Sequence, residues 1–186
     1  GQLIHPQKWP EDLDYSGKKV AVIGSGATAV TIVPNMVDNA AKVTMIQRSP
    51  TYMFSRPAKD AVANFLGAVL PSKLAYALTR WKNIYFQNAT YKGARNNPEK
   101  TKKLLLDSVR KSLGDDYDID THFTPRYNPW EERLCLIPDD DFLSAVKSGA
   151  AEVVTDTIDK FVENGVLLSS GKLIEADIVV SATGLN

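Results

Sequence analysis

The run Gly24-Ser25-Gly26-Ala27-Thr28-Ala29 has the Gly-x-Gly-x-x-Ala spacing of a pyrophosphate-binding turn. Three of its positions have a distinct physical part in that chemistry. Gly24 permits the tight turn off a strand, Gly26 lets the backbone come close to a phosphate, and Ala29 is small enough for a helix to pack on the strand. A helix that starts here offers unpaired N–H groups and the positive end of its dipole to an anion. Ser25, Ala27 and Thr28 complete the candidate binding turn. The ligand class implied is a dinucleotide. A glycine turn in some other α/β domain is the alternative.

Gln47-Arg48-Ser49 ends the next apolar run and bears on which dinucleotide. A site for NAD places Asp or Glu there, to accept hydrogen bonds from the ribose 2′-OH. A site for NADP omits the acid and uses Arg. No carboxylate is present here and a guanidinium is. Arg48 can pair bidentately with a 2′-phosphate, and Ser49 can donate a further hydrogen bond. The sequence therefore reads as an NADP site, with a solvated surface Arg as the alternative.

These residues need particular elements to position them. Lys18 to Ile23 is apolar and β-branched, as a buried parallel strand requires. Small and apolar residues continue to about Asp38 as a helix, which Pro34 is expected to kink or end early. Lys42 to Gln47 is the second strand, so residues 18–47 form a β-α-β unit in the context the turn demands. Residues 50–57 read as a loop. Residues 58–113 carry helical spacing in three stretches, 58–69, 72–93 and 98–113. That block is too long for an ordinary crossover and predicts a helical insertion, with packing and a lid surface as its role. Residues 114–138 read as an irregular, aromatic-rich ordered loop. Residues 139–148 suit a short helix capped by Asp139. Val153-Val154 is a strand. Ile158 to Phe161 and Val166 to Leu168 suit a meander with turns at Asn164-Gly165 and Ser170-Gly171, and Ala176 to Ser181 is a last buried strand. The expected fold class is α/β: a Rossmann-like, three-layer domain with a central parallel sheet, a β-meander and a helical insertion.

Composition narrows the function. The chain has 186 residues, 44% hydrophobic and 24% charged, ordinary for one globular domain. Lys plus Arg and Asp plus Glu are both 22, which gives no sign of a nucleic-acid partner. Cys135 is the only cysteine. It excludes an internal disulfide and fits a reducing, cytoplasmic compartment. His5, His122 and Cys135 have no metal-ligand spacing, so no metal is expected. No apolar run is long enough to span a bilayer, and no signal peptide is present. The chain starts at Gly1, its first methionine is Met36 and it stops at Asn186. Those ends look like cuts through a longer protein.

Motifs at both ends add a resemblance. Gly1-x-x-x-His5-x-x-x-Trp9-Pro10 resembles the later part of the fingerprint of Baeyer–Villiger monooxygenases, Phe-x-Gly-x-x-x-His-x-x-x-Trp. Asp177-Ile178-Val179-Val180-Ser181-Ala182-Thr183-Gly184 resembles the strand and Ala-Thr-Gly turn that lead back to the FAD domain in flavin-dependent (class B) monooxygenases. The segment from His122 to Leu136 is most similar to the ethionamide-activating type. The resemblance covers essentially the whole chain. It implies the NADPH domain of a two-domain enzyme, with residues 1–17 as an inter-domain linker, 18–186 as the NADP-binding domain, and the FAD domain absent from this chain.

The same resemblance, and nothing else in the sequence, implies the reaction. NADPH reduces FAD, reduced flavin takes up O2 as a C4a-peroxide, and one oxygen atom enters a ketone or is added to a sulfide or amine. The cofactors are NADPH and FAD. Arg133 matches the family's Arg beside the flavin, where a fixed cation stabilises a developing anion. From the sequence alone it is expected to be partly enclosed, and a structural ion pair with Asp139, Asp140 or Asp141 is the alternative. Glu132 departs from a frequent Lys that helps hold the 2′-phosphate, so more of that clamp falls on Arg48 and Ser49. Ala182, Thr183 and Gly184 join the cofactor-binding set, and Gly1, His5 and Trp9 carry over as hinge residues. Cys135 reads as a buried thiol. An isolated domain is expected to be inactive. Two rivals stand beside this reading: the NADPH domain of a flavoprotein reductase, and a non-catalytic NADP-binding module.

Overall fold

The computed structural model describes residues 1–184; the last two positions of the expected 18–186 domain lie outside the described residues. Five parallel strands make the central sheet: β1 (Gln2–Ile4), β2 (Lys19–Ile23), β3 (Lys42–Gln47), β6 (Ala151–Thr155) and β10 (Ile178–Ser181), in the order β1-β10-β2-β3-β6. The inner strands β10, β2 and β3 are buried on both faces and are apolar runs rather than alternating ones. The strand β1 comes from the segment read as a linker, and it extends the sheet at the edge beside β10.

One face of the sheet is covered by helices α1 (Ala27–Met36), α4 (Pro98–Leu113), α5 (Ile119–Phe123) and α6 (Asp141–Lys147). Val20, Val22, Val43 and Met45 point into this layer, against Ala29, Val30, Val33 and Phe142. The other face is covered by the antiparallel meander β7 (Ile158–Val162), β8 (Gly165–Leu168) and β9 (Leu173–Glu175). There Ala21, Ile46, Val154 and Val179 meet Val166, Leu168 and Ile174. The period-2 alternation of a strand sends neighbouring residues of β2 to opposite layers. The result is the three-layer Rossmann-like arrangement that the sequence predicts.

The helices α2 (Ala61–Val69), α3 (Ser72–Asn96) and α4 occupy the stretch of helical spacing. The helix α1 carries Pro34 and ends two residues later at Met36, short of the expected Asp38.

Three expectations are corrected. The loop at 50–57 contains strand β4 (Tyr52–Arg56), and the irregular segment contains α5 and strand β5 (Leu134–Pro138). These two strands pair in parallel as a separate two-stranded sheet. Pairing between segments so distant in sequence leaves no local signal beyond short apolar runs. The third concerns Asp139. It does not cap α6, whose first residue is Asp141 and whose N-cap is Asp140 at φ 62°. The Oδ1 of Asp139 instead accepts from the backbone N–H of Ala58, 3.0 Å away, tying the start of the insertion to the end of β5.

Candidate functional site

A cleft of about 610 Å³ opens at the carboxyl ends of β2, β3, β6 and β10. Ligands of open α/β sheets bind at this edge, because the loops there are free of the sheet. The glycine turn forms its floor. Gly24 has φ 130°, and a Cβ there would stand 2.5 Å from the carbonyl oxygen of Ala182, so only glycine fits. The same contact lays the Ala182-Thr183-Gly184 turn against the glycine turn, with the Ala182 N–H donating to the Ile23 carbonyl at 2.8 Å. Gly26 differs. It has an ordinary φ of −85°, and a Cβ there would meet no protein atom within 4 Å. Packing does not demand glycine at this position. The empty space above it belongs to the cleft.

Gly26 is also the N-cap of α1, and no side chain caps this helix. The first N–H groups, those of Ala27, Thr28 and Ala29, have no partner within the helix. Ala29 is fully buried, so its side chain serves packing as the motif requires. Thr28 lines the cleft, as do Arg48 and Ser49 from the end of β3.

The side chain of Ser25 is engaged elsewhere. Its Oγ donates to the Ser49 carbonyl at 3.1 Å and accepts from Thr51 Oγ1 at 3.1 Å. The thiol of Cys135 reaches the Ser25 carbonyl at 3.6 Å. Burial pushes that thiol above its usual range, and it stays a protonated donor. Ser25 thus bolts the glycine turn to β5 and to the β3–β4 connection, which carries Arg48 and Ser49.

Gln47 is not in the cleft. Its Nε2 donates to the His122 carbonyl at 2.7 Å and to Thr155 Oγ1 at 2.8 Å, and the side chain is buried. The physical reason is alternation: Ile46 points to one face of β3 and Gln47 to the other. Thr155 Oγ1 also meets His122 Nδ1 at 2.8 Å. Desolvation lowers the pKa of His122 below its ordinary 6.5, against the opposing pull of Asp118.

Arg133 lines the cleft directly before β5. It is exposed rather than enclosed, and it forms no ion pair among the described residues. Asp139, Asp140 and Asp141 follow the far end of β5, beyond a five-residue strand of roughly 17 Å. The loop before Arg133 is firmly shaped. Tyr127 Oη donates to the Arg133 carbonyl at 2.8 Å, Tyr52 Oη donates to the Tyr127 carbonyl at 2.7 Å, and the two rings pack edge to face. Desolvation raises the Tyr52 pKa to about 12, which keeps the phenol protonated as a donor. Trp130 adopts φ 67°, a conformation bulky residues avoid, and its ring packs on Tyr91. Glu132 does not line the cleft.

Asp156, Thr157 and Ile158 complete the lining and were missed from the sequence. They follow β6, the neighbour of β3. Placing the Val153-Val154 strand beside β3 would have found them, since parallel strands end at one edge. The Asp156 carboxylate accepts from the N–H groups of Thr157 at 2.7 Å and Ser170 at 3.2 Å, which hold its pKa below the usual carboxylate range. Through these bonds it ties the cleft edge to the meander turn.

The N-terminal residues border the site. His5 Nδ1 accepts from the Gln7 N–H at 3.3 Å, which leaves Nε2–H to donate to the Gly184 carbonyl at 3.1 Å. Gly1 lies under Asp177, where a Cβ would stand 2.9 Å from its carbonyl oxygen. Trp9 is exposed and lines a shallow groove with Pro6 and with Ala27 and Thr31 of α1. No group of His, Cys, Asp and Glu among the described residues is arranged to hold a metal.

No family model matches the chain. Over its whole length it is 54% identical to the FAD-containing monooxygenase EthA of Mycolicibacterium smegmatis, of which it covers 38%. It is 54% identical to the putative FAD-containing monooxygenase MymA of Mycobacterium tuberculosis, covering 38% of that protein. The chain is homologous to FAD-containing monooxygenases. The probable FAD-binding monooxygenase AlmA of Acinetobacter baylyi is similar at 54% identity, with 37% of its length covered. The chain thus spans well under half the length of these relatives. Among solved structures, a steroid monooxygenase bound to NADP superposes over 99% of this chain and 42% of its own, with a TM-score of 0.72 at 19% identity. A complex of OTEMO with FAD and NADP superposes over the whole chain and 42% of its own, with a TM-score of 0.71 at 16% identity. Both share this fold.

Proposed function

We propose that this chain is the NADPH-binding domain of an FAD-dependent monooxygenase that inserts one oxygen atom from O2 into a ketone, or adds it to a sulfide or amine. The observation that carries the reading is the meeting of three groups in one cleft: the uncapped N-terminus of α1, Arg48 and Arg133. Homology to FAD-containing monooxygenases supports it.

The residues fit the nucleotide. Open space above Gly26 receives a pyrophosphate, and the N–H groups of Ala27 and Thr28 donate to it along the helix axis. Arg48 pairs with the 2′-phosphate, and the Ser49 hydroxyl donates beside it. The Ala182-Thr183-Gly184 turn forms the wall across from Arg48. When bound, NADPH supplies a hydride to flavin. Arg133, exposed at the cleft and in no ion pair among the described residues, is the fixed cation that would meet anionic charge developing at the flavin side. FAD is held by a further domain of the same parent protein, and Gly1, His5 and Trp9 act at the junction. His5 does so by coupling the N-terminal approach to Gly184 at the cleft edge. The enzyme works in the cytoplasm, in keeping with a single buried thiol.

The test is a titration of the chain with NADPH and NADH, followed by addition of FAD and a ketone under an oxygen electrode. The expected result is preferential binding of NADPH and no oxygen consumption. Equal affinity for the two nucleotides would remove the NADP assignment. Turnover by the chain alone would remove the assignment of FAD to another domain.

A further inference from the structure

The hairpin of α2 and α3 is the surface least like the rest of the molecule. Val62, Phe65 and Val69 recur along α2, and Leu78, Trp81 and Tyr85 along α3, each at the three- and four-residue spacing of one helix face. Trp81 and Tyr85 are each 71% exposed and Phe65 is 65% exposed. The opposite side of α3 lines a separate open apolar cleft, where Phe86, Thr90 and Ala94 stand with Leu104, Leu134 and Leu136, and only Ala75 and Ala94 of α3 are buried. The exposed face is therefore not the helix's contribution to the core.

Charge sets the hairpin apart as strongly. The hairpin with its flanks, residues 58–97, holds six Lys or Arg against one Asp, in a chain whose totals are 22 and 22. On the hairpin itself the single acid, Asp60, pairs with Lys82. Lys59, Lys73, Arg80 and Lys92 are exposed and form no ion pair among the described residues.

We propose that this hairpin binds the surface of an anionic lipid membrane. Trp and Tyr rings favour the boundary between headgroups and acyl chains, where an apolar body and a polar tip are both satisfied. Lys and Arg stems lie along the apolar face while their charges reach the headgroups. Anionic lipid then adds attraction to the apolar burial. A second copy of the chain is a poorer occupant, because a two-fold contact would set the same unpaired cations against one another. No helix among the described residues is long and apolar enough to cross a membrane, so the contact lies in the plane of the interface.

Sedimentation with vesicles tests this. The chain, and the full-length protein that contains it, are mixed with phosphatidylcholine vesicles with and without about one third phosphatidylglycerol. Both proteins are expected to bind the anionic vesicles at least about tenfold more strongly, and to lose most of that binding at high salt. F65S/W81S and K73E/R80E are each expected to cut binding about tenfold, with far-ultraviolet circular dichroism and NADPH binding unchanged. Equal binding to both vesicle types, or variants that bind like the wild type, would overturn the proposal. Binding by the chain but not by the full-length protein would assign the face to an intramolecular contact and overturn it too. So would self-association that both variants abolish in the absence of any vesicle binding.

Discussion

Arg48 and Gln47 are neighbours in sequence with opposite fates, and the contrast shows what a single residue contributes to this site. Arg48 lines the cleft and forms no ion pair among the described residues, which leaves it free for the proposed contact with a ligand. Replacing it with Ala removes charge-assisted hydrogen bonds that only a 2′-phosphate accepts. R48A is expected to weaken NADPH binding on the order of 10- to 100-fold and to leave NADH binding nearly unchanged, measured by titration calorimetry. Equal loss for both nucleotides would sink the assignment. Gln47 sits in the core and, with His122 and Thr155, ties α5 to the sheet. His122 makes this cluster sensitive to pH. Its folded-state pKa lies below the ordinary 6.5, so the unfolded chain takes up a proton first as pH falls. The contribution of His122 to stability is therefore complete above about pH 6.5 and declines as pH falls towards the folded pKa. Thermal midpoints measured between pH 7.5 and 5 are expected to fall for the wild type and to fall less for H122Q. An identical decline in both proteins would show that His122 does not cause it.

At the scale of elements, the β2 turn and α1 do two jobs with two glycines, and substitution separates them. G24A forces a side chain into a left-handed conformation and against the Ala182 carbonyl. It is expected to cost about 2–3 kcal/mol in denaturant unfolding. G26A meets no protein atom and is expected to leave the unfolding midpoint unchanged while abolishing measurable NADPH binding, because its methyl group takes the place of a phosphate oxygen. A G26A variant that binds NADPH normally would remove the pyrophosphate from that spot. This turn was legible in the sequence because its requirements are local: tight backbone, small side chains and an uncapped helix end. The meander was legible for the same reason, with Asn164-Gly165 and Ser170-Gly171 marking its turns. The strands β4 and β5 were not. They pair across the whole helical insertion, Tyr52 with Leu134 and Met53 with Cys135, and short apolar runs flanked by prolines look alike in a loop and in a distant parallel pair. The lining at Asp156 and Thr157 was hidden for a related reason, since strand order is set by packing rather than by any residue in the strand.

For the whole molecule, the informative fact is that the cleft gathers its lining from β2, β3, β6, β10 and the segment before β5, all within this chain. On the proposed reading, nucleotide binding therefore draws on this chain's own residues. On the same reading oxygenation draws on FAD held elsewhere in the parent protein, and Arg133 and the edge held by His5 are the groups proposed to face it. The two activities should come apart at Arg133. Its side chain is exposed, carries no ion pair among the described residues and lies next to a loop fixed through its backbone by Tyr127. R133A should then fold as the wild type does. Saturation with NADPH at about a hundred times its dissociation constant stabilises a native state by ~2.7 kcal/mol, or roughly 5–10 °C in a chain of this size. That shift is expected in both wild type and R133A, and at the same nucleotide concentration is expected to fall in R48A to between about 0.4 and 1.4 kcal/mol, what remains after a roughly 10- to 100-fold loss of affinity. In the full-length protein, R133A is expected to keep NADPH binding and to lose oxygenated product, measured by chromatography of a ketone substrate. If R133A formed product at the wild-type rate, Arg133 would be a bystander at the cleft mouth, and the anion-stabilising cation would have to come from outside this domain.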